Sequence, residues 1–151
     1  MHPLLKFFHV AGVVLWVGGM FFAWVCLRPV AAAQLPPPQR LCLWAGVFAR
    51  FFPWVGGAVL AILLSGLVAL AGVGLQHSPP YWHAMLLLGL VMMAIFVYLL
   101  LWPYAALRRA VAAQDWPVAG AALARIRQLV GINLALGALT IAVATVGPLL
   151  G

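Results

Sequence analysis

Acidic side chains are almost missing from this chain: Asp115 stands alone against one lysine and seven arginines, for a formal net charge of +7 over 151 residues. Charged residues make up 6% of the sequence, where a soluble domain carries about a quarter. That shortage excludes a water-soluble fold. No carboxylate lies inside an apolar run, so a transporter that works through a buried acid lacks its proton-carrying group. Cysteine is equally scarce. Cys26 and Cys42 flank the first connection, and on a cytoplasmic face they are expected to remain free thiols. The patterns GxxxxGK(S/T), HExxH and CxxC and the serine-hydrolase elbow are absent, which removes nucleotide-driven pumps, zinc proteases, dithiol redox proteins and hydrolases.

What the chain does contain is apolar, at 68% hydrophobic residues. A helix crosses the hydrocarbon layer with roughly 20 such residues, and four stretches qualify, at 4–27, 51–74, 81–102 and 127–147. The predicted fold is all-α, an integral membrane four-helix bundle forming one domain over 1–151. Lys6 ahead of the first apolar run gives it the outline of a signal peptide. The run continues through Trp16, Gly18, Gly19 and Trp24 to Arg28 with no small-residue cleavage site, so it reads as a retained helix. It is expected to stop before Arg28-Pro29, because the residue preceding a proline is pushed out of the helical region. Three prolines at 36–38 favour an extended linker. The long run from Leu41 to Leu75 admits two readings: an interfacial turn over Leu41–Ala49 followed by a span with Pro53 in its first turn, or one unbroken, kinked helix. The third helix ends at Pro103 or passes it with a kink, and the fourth begins near Ile126 or Leu129.

The basic residues set the expected orientation, since cytoplasmic loops are enriched in lysine and arginine. Arg28, Arg40 and Arg50 cluster at the first connection and Arg108, Arg109, Arg125 and Arg127 at the third, while the second has none. Both termini are therefore expected on the periplasmic side of a bacterial inner membrane. The lipid bilayer accounts for the positive charge, and nucleic acid is not an expected partner. On this topology His2, His9, His77 and His83 all fall toward the outer face. A quinol or a redox protein is an expected electron partner, and glycine-rich helix faces would suit a homodimer.

His9 lies inside the first span, where an imidazole needs a partner. The same helix face carries Gly12, Val13, Trp16, Gly19 and Met20, small near the histidine and bulky below it. A flat macrocycle could lie there with His9 on its iron, although a hydrogen bond to another helix would equally satisfy the ring. His83 enters the third helix at a comparable depth, and the pair gives the geometry of a bis-histidine haem b site near the periplasmic face. His77 is an alternative second ligand or a surface metal ligand. Copper is the other cofactor reading, held by His9, His83, His77 and Met85, because imidazole and thioether donors suit it. Met85, Gly89 and Met92 share one face of the third helix. Asn133, two turns beyond Arg127, is expected to bond to a neighbouring helix. Trp16-Val17-Gly18-Gly19 is echoed by Trp54-Val55-Gly56-Gly57, which marks both places as possible helix joints.

The segment HVAGVVLWVGGMFFAWVCLR at 9–28 resembles the first helix of CopD-like membrane proteins, which are associated with copper handling, and that of the HemJ-type protoporphyrinogen oxidases. The shared elements are His9, Trp16 to Gly19 and Arg28. WHAMLLLGLV at 82–91 and RQLVGIN at 127–133 are similar to the family's third helix and its Arg-to-Asn element. The resemblance implies a helical bundle with His9 and His83 as haem or metal ligands, and Trp16, Gly12 and Arg28 of the first helix are expected beside the cofactor. Met85 stands where the oxidases carry a lysine, a departure that removes a cation suited to a porphyrin carboxylate.

Overall fold

The computed structural model describes residues 2–149, and these form four long helices with no strand among them. They are α1 (Pro3–Gln34), α2 (Pro37–Val73), α3 (Pro80–Ala112) and α4 (Trp116–Leu149), the last closing in a 3₁₀ turn at Gly147–Leu149. Each is apolar and long enough to cross a membrane. The chain is a multi-pass membrane protein of the kind found in an inner membrane.

The ends of the helices follow from local chemistry. Three of them begin on a proline and the fourth has Pro117 at its second position, where the missing N–H costs nothing. His2 Nδ1 accepts from the Leu4 N–H at 3.3 Å, and Asp115 Oδ1 accepts from the Val118 N–H at 3.3 Å. The sole acid is thus spent on a helix cap. α2 stops at Gly74, whose φ of +86° only glycine adopts freely and whose N–H bonds back to the Leu70 carbonyl.

Several boundaries differ from the sequence reading. α1 does not stop at Leu27 but continues through Arg28-Pro29 to Gln34, by way of a π-helical segment at Phe22–Leu27. A wide turn absorbs the proline that was expected to break the helix. At Pro103 the second of the two readings holds, and α3 passes the proline within a π-helical segment at Leu100–Tyr104. α2 is the unbroken helix of the second reading, with Pro53 inside it, but it starts at Pro37, within the prolines expected to form an extended linker. α4 starts at Trp116, about ten residues ahead of the expected site, because the alanine-rich run 119–124 is strongly helix-forming.

Neighbouring helices run antiparallel, α1 chiefly against α2 and α3 against α4. Three close approaches fix the register. A Cβ on Gly19 would collide with the Phe51 ring, one on Gly131 would lie 2.8 Å from the Trp24 ring, and one on Gly137 2.9 Å from Val17 Cγ2. Small residues admit large ones where no hydrophobic force draws helices together. The two Trp-Val-Gly-Gly elements are not equivalent joints: Trp16 is 3% exposed and Trp54 is 69% exposed, with nothing near Gly56 or Gly57. The core is an aromatic stack in which Phe48 and Phe52 lie parallel at 4.8 Å and Tyr104 meets Phe52 edge-on at 4.9 Å.

Candidate functional site

The register gathers the histidines and the arginines at opposite ends of the bundle. At one end lie the start of α1, the end of α2, the start of α3 and the end of α4, where Tyr81 abuts Gly147. His2, His9, His77 and His83 all belong to this end. At the other, Trp24 against Gly131 brings Arg28 and Arg127, one turn further along each helix, to a common height. Arg28 lies over the Trp24 ring at 4.7 Å and Arg108 over the Tyr104 ring at 5.6 Å. His9 and Arg28 are separated along α1 by about 28 Å at roughly 1.5 Å per residue, close to one hydrocarbon thickness of about 30 Å.

His9 is half-buried, and its Nδ1 is 2.8 Å from Ser65 Oγ in α2. Ser65 is 2% exposed and donates back to the Ala61 or Ile62 carbonyl of its own helix. The ring edge rests on Gly66, where a Cβ would stand 3.7 Å from His9 Cε1. The histidine therefore joins α1 to α2. Sequence reasoning left this interhelical bond open but did not find the serine; the one signal was that Ser65 is the only hydroxyl residue in α2. His83 is exposed, and its Nε2 is 3.3 Å from the hydroxyl of Ser78, which donates to the Leu75 carbonyl at 2.8 Å. His77 is exposed in the turn Leu75–His77, and Met85 is half-buried one turn inside α3. Cys26 and Cys42 are free thiols. Asn133 reaches α3 as expected, donating from Nδ2 to the Met92 carbonyl at 3.1 Å.

The haem b reading does not survive this arrangement. His9 and His83 are engaged by different elements, one by a serine of α2 and the other by a serine of the connection after it. Among the described residues no group of three or more His, Cys, Asp or Glu side chains converges on a metal position. Gly12 is no macrocycle face, because a Cβ there would lie 2.9 Å from Ile62 Cγ1 and 3.0 Å from the Ala58 carbonyl. Arg28 is at the opposite end from His9. A cavity of about 160 Å³ does touch Trp16, but neither histidine lines it, and ligand pockets of drug-sized molecules start at about 300 Å³. The bis-histidine redox site is corrected accordingly, and the quinol or redox partner attached to it falls with it.

The fold and its two polar ends define a small polytopic helical membrane protein with no soluble domain among the described residues. A family model described as "CopD: Copper resistance protein D" matches residues 45–146, and the chain belongs to the CopD family. The match gives no support to the HemJ-type resemblance. No curated protein and no solved structure matches the chain.

Proposed function

We propose that this chain is a copper-handling membrane protein of the CopD type, which imports or hands on the metal as cargo and catalyses no reaction. Membership of the CopD family carries the reading, and the donor chemistry fits it. Imidazole and thioether are donors that copper selects over hard cations, and four histidines and five methionines accompany a single acid. His77 and His83 are exposed at the histidine end, where a metal arriving from water meets them first. Met85 follows half-buried on α3, and Met92 and Met20 lie deeper, each 3% exposed. His9 sits beside this path on α1. These donors occur singly or in pairs, which suits a cargo that must be bound tightly enough to enter and loosely enough to leave.

The orientation proposed with this function puts both termini and the histidine end on the periplasmic side, with 4–27, 51–74, 81–102 and 127–147 crossing the hydrocarbon of one domain over 1–151. Charge counting supports it, since the arginines sit at the opposite end. The full chain reconstituted in lipid vesicles, supplied with copper and ascorbate, is the system for the test. Copper inside the vesicles is measured by atomic spectroscopy. Uptake above that of empty vesicles is expected, and the double variant His77→Ala/His83→Ala should fall to the empty-vesicle level while keeping its helical spectrum. Full-rate uptake by the folded double variant would remove these donors, and neither uptake nor binding by the unaltered chain would overturn the function.

A further inference from the structure

Arg50 stands deeper in the bundle than the other arginines. It adjoins Phe51, whose ring meets Gly19 of α1, and Gly19 precedes Arg28 by nine residues, roughly 14 Å along the helix. From Gly19 to the start of α1 at Pro3 the helix measures roughly 24 Å, less than the hydrocarbon thickness of about 30 Å. Arg50 is therefore rooted inside the apolar layer and not at its edge. Its side chain is exposed, on the outside of the bundle where lipid stands. The guanidinium keeps its charge there, and the chain offers no counter-ion, because its sole acid, Asp115, caps the start of α4 at the far tip of the arginine end. A charge at this depth is costly without a partner.

The surroundings of Arg50 leave room for one. α2 begins at the arginine end, and helix side chains lean toward the N-terminus of their own helix, so Arg50 leans toward the arginine surface across Gly46, one turn away. A Cβ on Gly46 would meet nothing within 4 Å, which leaves an open lane from Arg50 to that surface. On the inner side Trp54 and Gly57 continue the lane, Trp54 exposed and Gly57 with open space where a Cβ would be.

We propose that this lane is a binding site for one anionic phospholipid, whose phosphate is drawn below the headgroup plane into the gap at Gly46 and paired with Arg50, and whose acyl chain lies along Trp54 and Gly57. A guanidinium fork matches two phosphate oxygens at once, and the low dielectric at this depth strengthens the pair. A headgroup of net negative charge cancels the arginine. A zwitterionic one brings its own cation and leaves the sum positive. Other occupants answer only part of the lane. A soluble phosphate has nothing to lay against Trp54, and a second copy of the chain seated on this face by two-fold symmetry would set one Arg50 against the other. The site is independent of copper handling and stands or falls without it.

The test is native mass spectrometry of the full chain in mild detergent, incubated with equal amounts of phosphatidylglycerol and phosphatidylcholine that carry the same acyl chains. The unaltered chain should retain one phosphatidylglycerol, about tenfold in preference to phosphatidylcholine, the range expected for a charge-assisted hydrogen bond. Arg50→Gln should bring the ratio close to one. Gly46→Leu, which blocks the lane and spares the charge, should do the same, and it serves as the second variant if Arg50→Gln does not fold. Arg109→Gln, at the exposed tip of the arginine end, should leave the ratio unchanged, and an excess of inorganic phosphate should not displace the lipid. The proposal is overturned if the unaltered chain retains the two lipids alike or retains neither, or if folded Arg50→Gln and Gly46→Leu keep the preference. It is also overturned if Arg109→Gln loses as much as Arg50→Gln, since the charge of the whole end would then be acting, or if a lipid-free dimer is the species observed.

Discussion

The arginine end and the histidine end of the bundle are built from similar helices and packed very differently. Leu107, Ala119 and Ile126, all at the arginine end, are 0% exposed, and Leu41, Trp44 and Ala110 are buried around them. At the histidine end no residue of α3 before Met92 is buried, nor any of α4 after Gly137. The helices are 32–37 residues long, roughly 48–55 Å, against a hydrocarbon layer of about 30 Å. In the placement proposed above, with the histidines near one surface and Arg28 and Arg127 near the other, the overshoot lies beyond the arginines. There water restores the hydrophobic effect, and the protruding helices close on a core like that of a soluble domain. Within the bilayer, lipid is as apolar as leucine and close burial gains little. The difference teaches that stability is concentrated at the arginine end, which leaves the histidine end free to carry function.

The strongest way to break this contrast is to truncate matched apolar side chains at the two ends. Ile126→Ala should destabilise the chain by about 3 kcal/mol, as for a fully buried aliphatic, and Val143→Ala near the histidine end by less than about 0.5 kcal/mol. Equal shifts in the thermal unfolding midpoint, followed by circular dichroism in detergent, would erase the distinction. The next largest effect lies between the ends. Gly19→Leu forces a side chain into the Phe51 ring and should cost about 2 kcal/mol by overpacking. Gly57→Leu, at a site with open space, should be neutral by the same measurement.

How much of this was legible depended on whether hydrocarbon or water surrounded the segment. The four apolar runs announced the four helices, and the arginines and histidines sorted themselves to opposite ends by charge alone. The overshoots were missed because hydropathy falls at residues 28–34, 105–112 and 116–126, although alanine and arginine keep them helical. Proline 29 suggested a helix end and proline 103 either an end or a kink, and π-helical turns carry the chain past both. The cofactor reading failed for a related reason. Two histidines at one height look like a ligand pair until their serines are known, and Ser65 pairs with His9 across 56 positions of sequence. Nothing local pointed to that bond.

The His9–Ser65 bond is where the two ends can be compared by chemistry instead of packing. Interhelical hydrogen bonds within membranes contribute about 0.6 kcal/mol on average. His9→Ala and Ser65→Ala should each lower stability by about 1 kcal/mol, and the double variant by no more than either, because the two changes remove one bond. Additive losses in that double-mutant cycle would mean that the ring and the hydroxyl act separately.

The smallest effect expected is at Ser78, and it links the loose end to copper. The Ser78–His83 contact is 3.3 Å long, and His83 is exposed, so Ser78→Ala should change stability by less than about 0.5 kcal/mol. Nε2 cannot hold a metal while it faces the serine hydroxyl, and a bond worth about 0.5–1.5 kcal/mol must be given up on coordination. Removing the hydroxyl should therefore tighten copper binding at the histidine end by roughly threefold, the factor that about 0.7 kcal/mol supplies. A copper titration of Ser78→Ala against the unaltered chain measures it. Weaker binding in the variant would mean that Ser78 positions His83 for the metal, and the histidine end would then be preorganised where the packing describes it as loose.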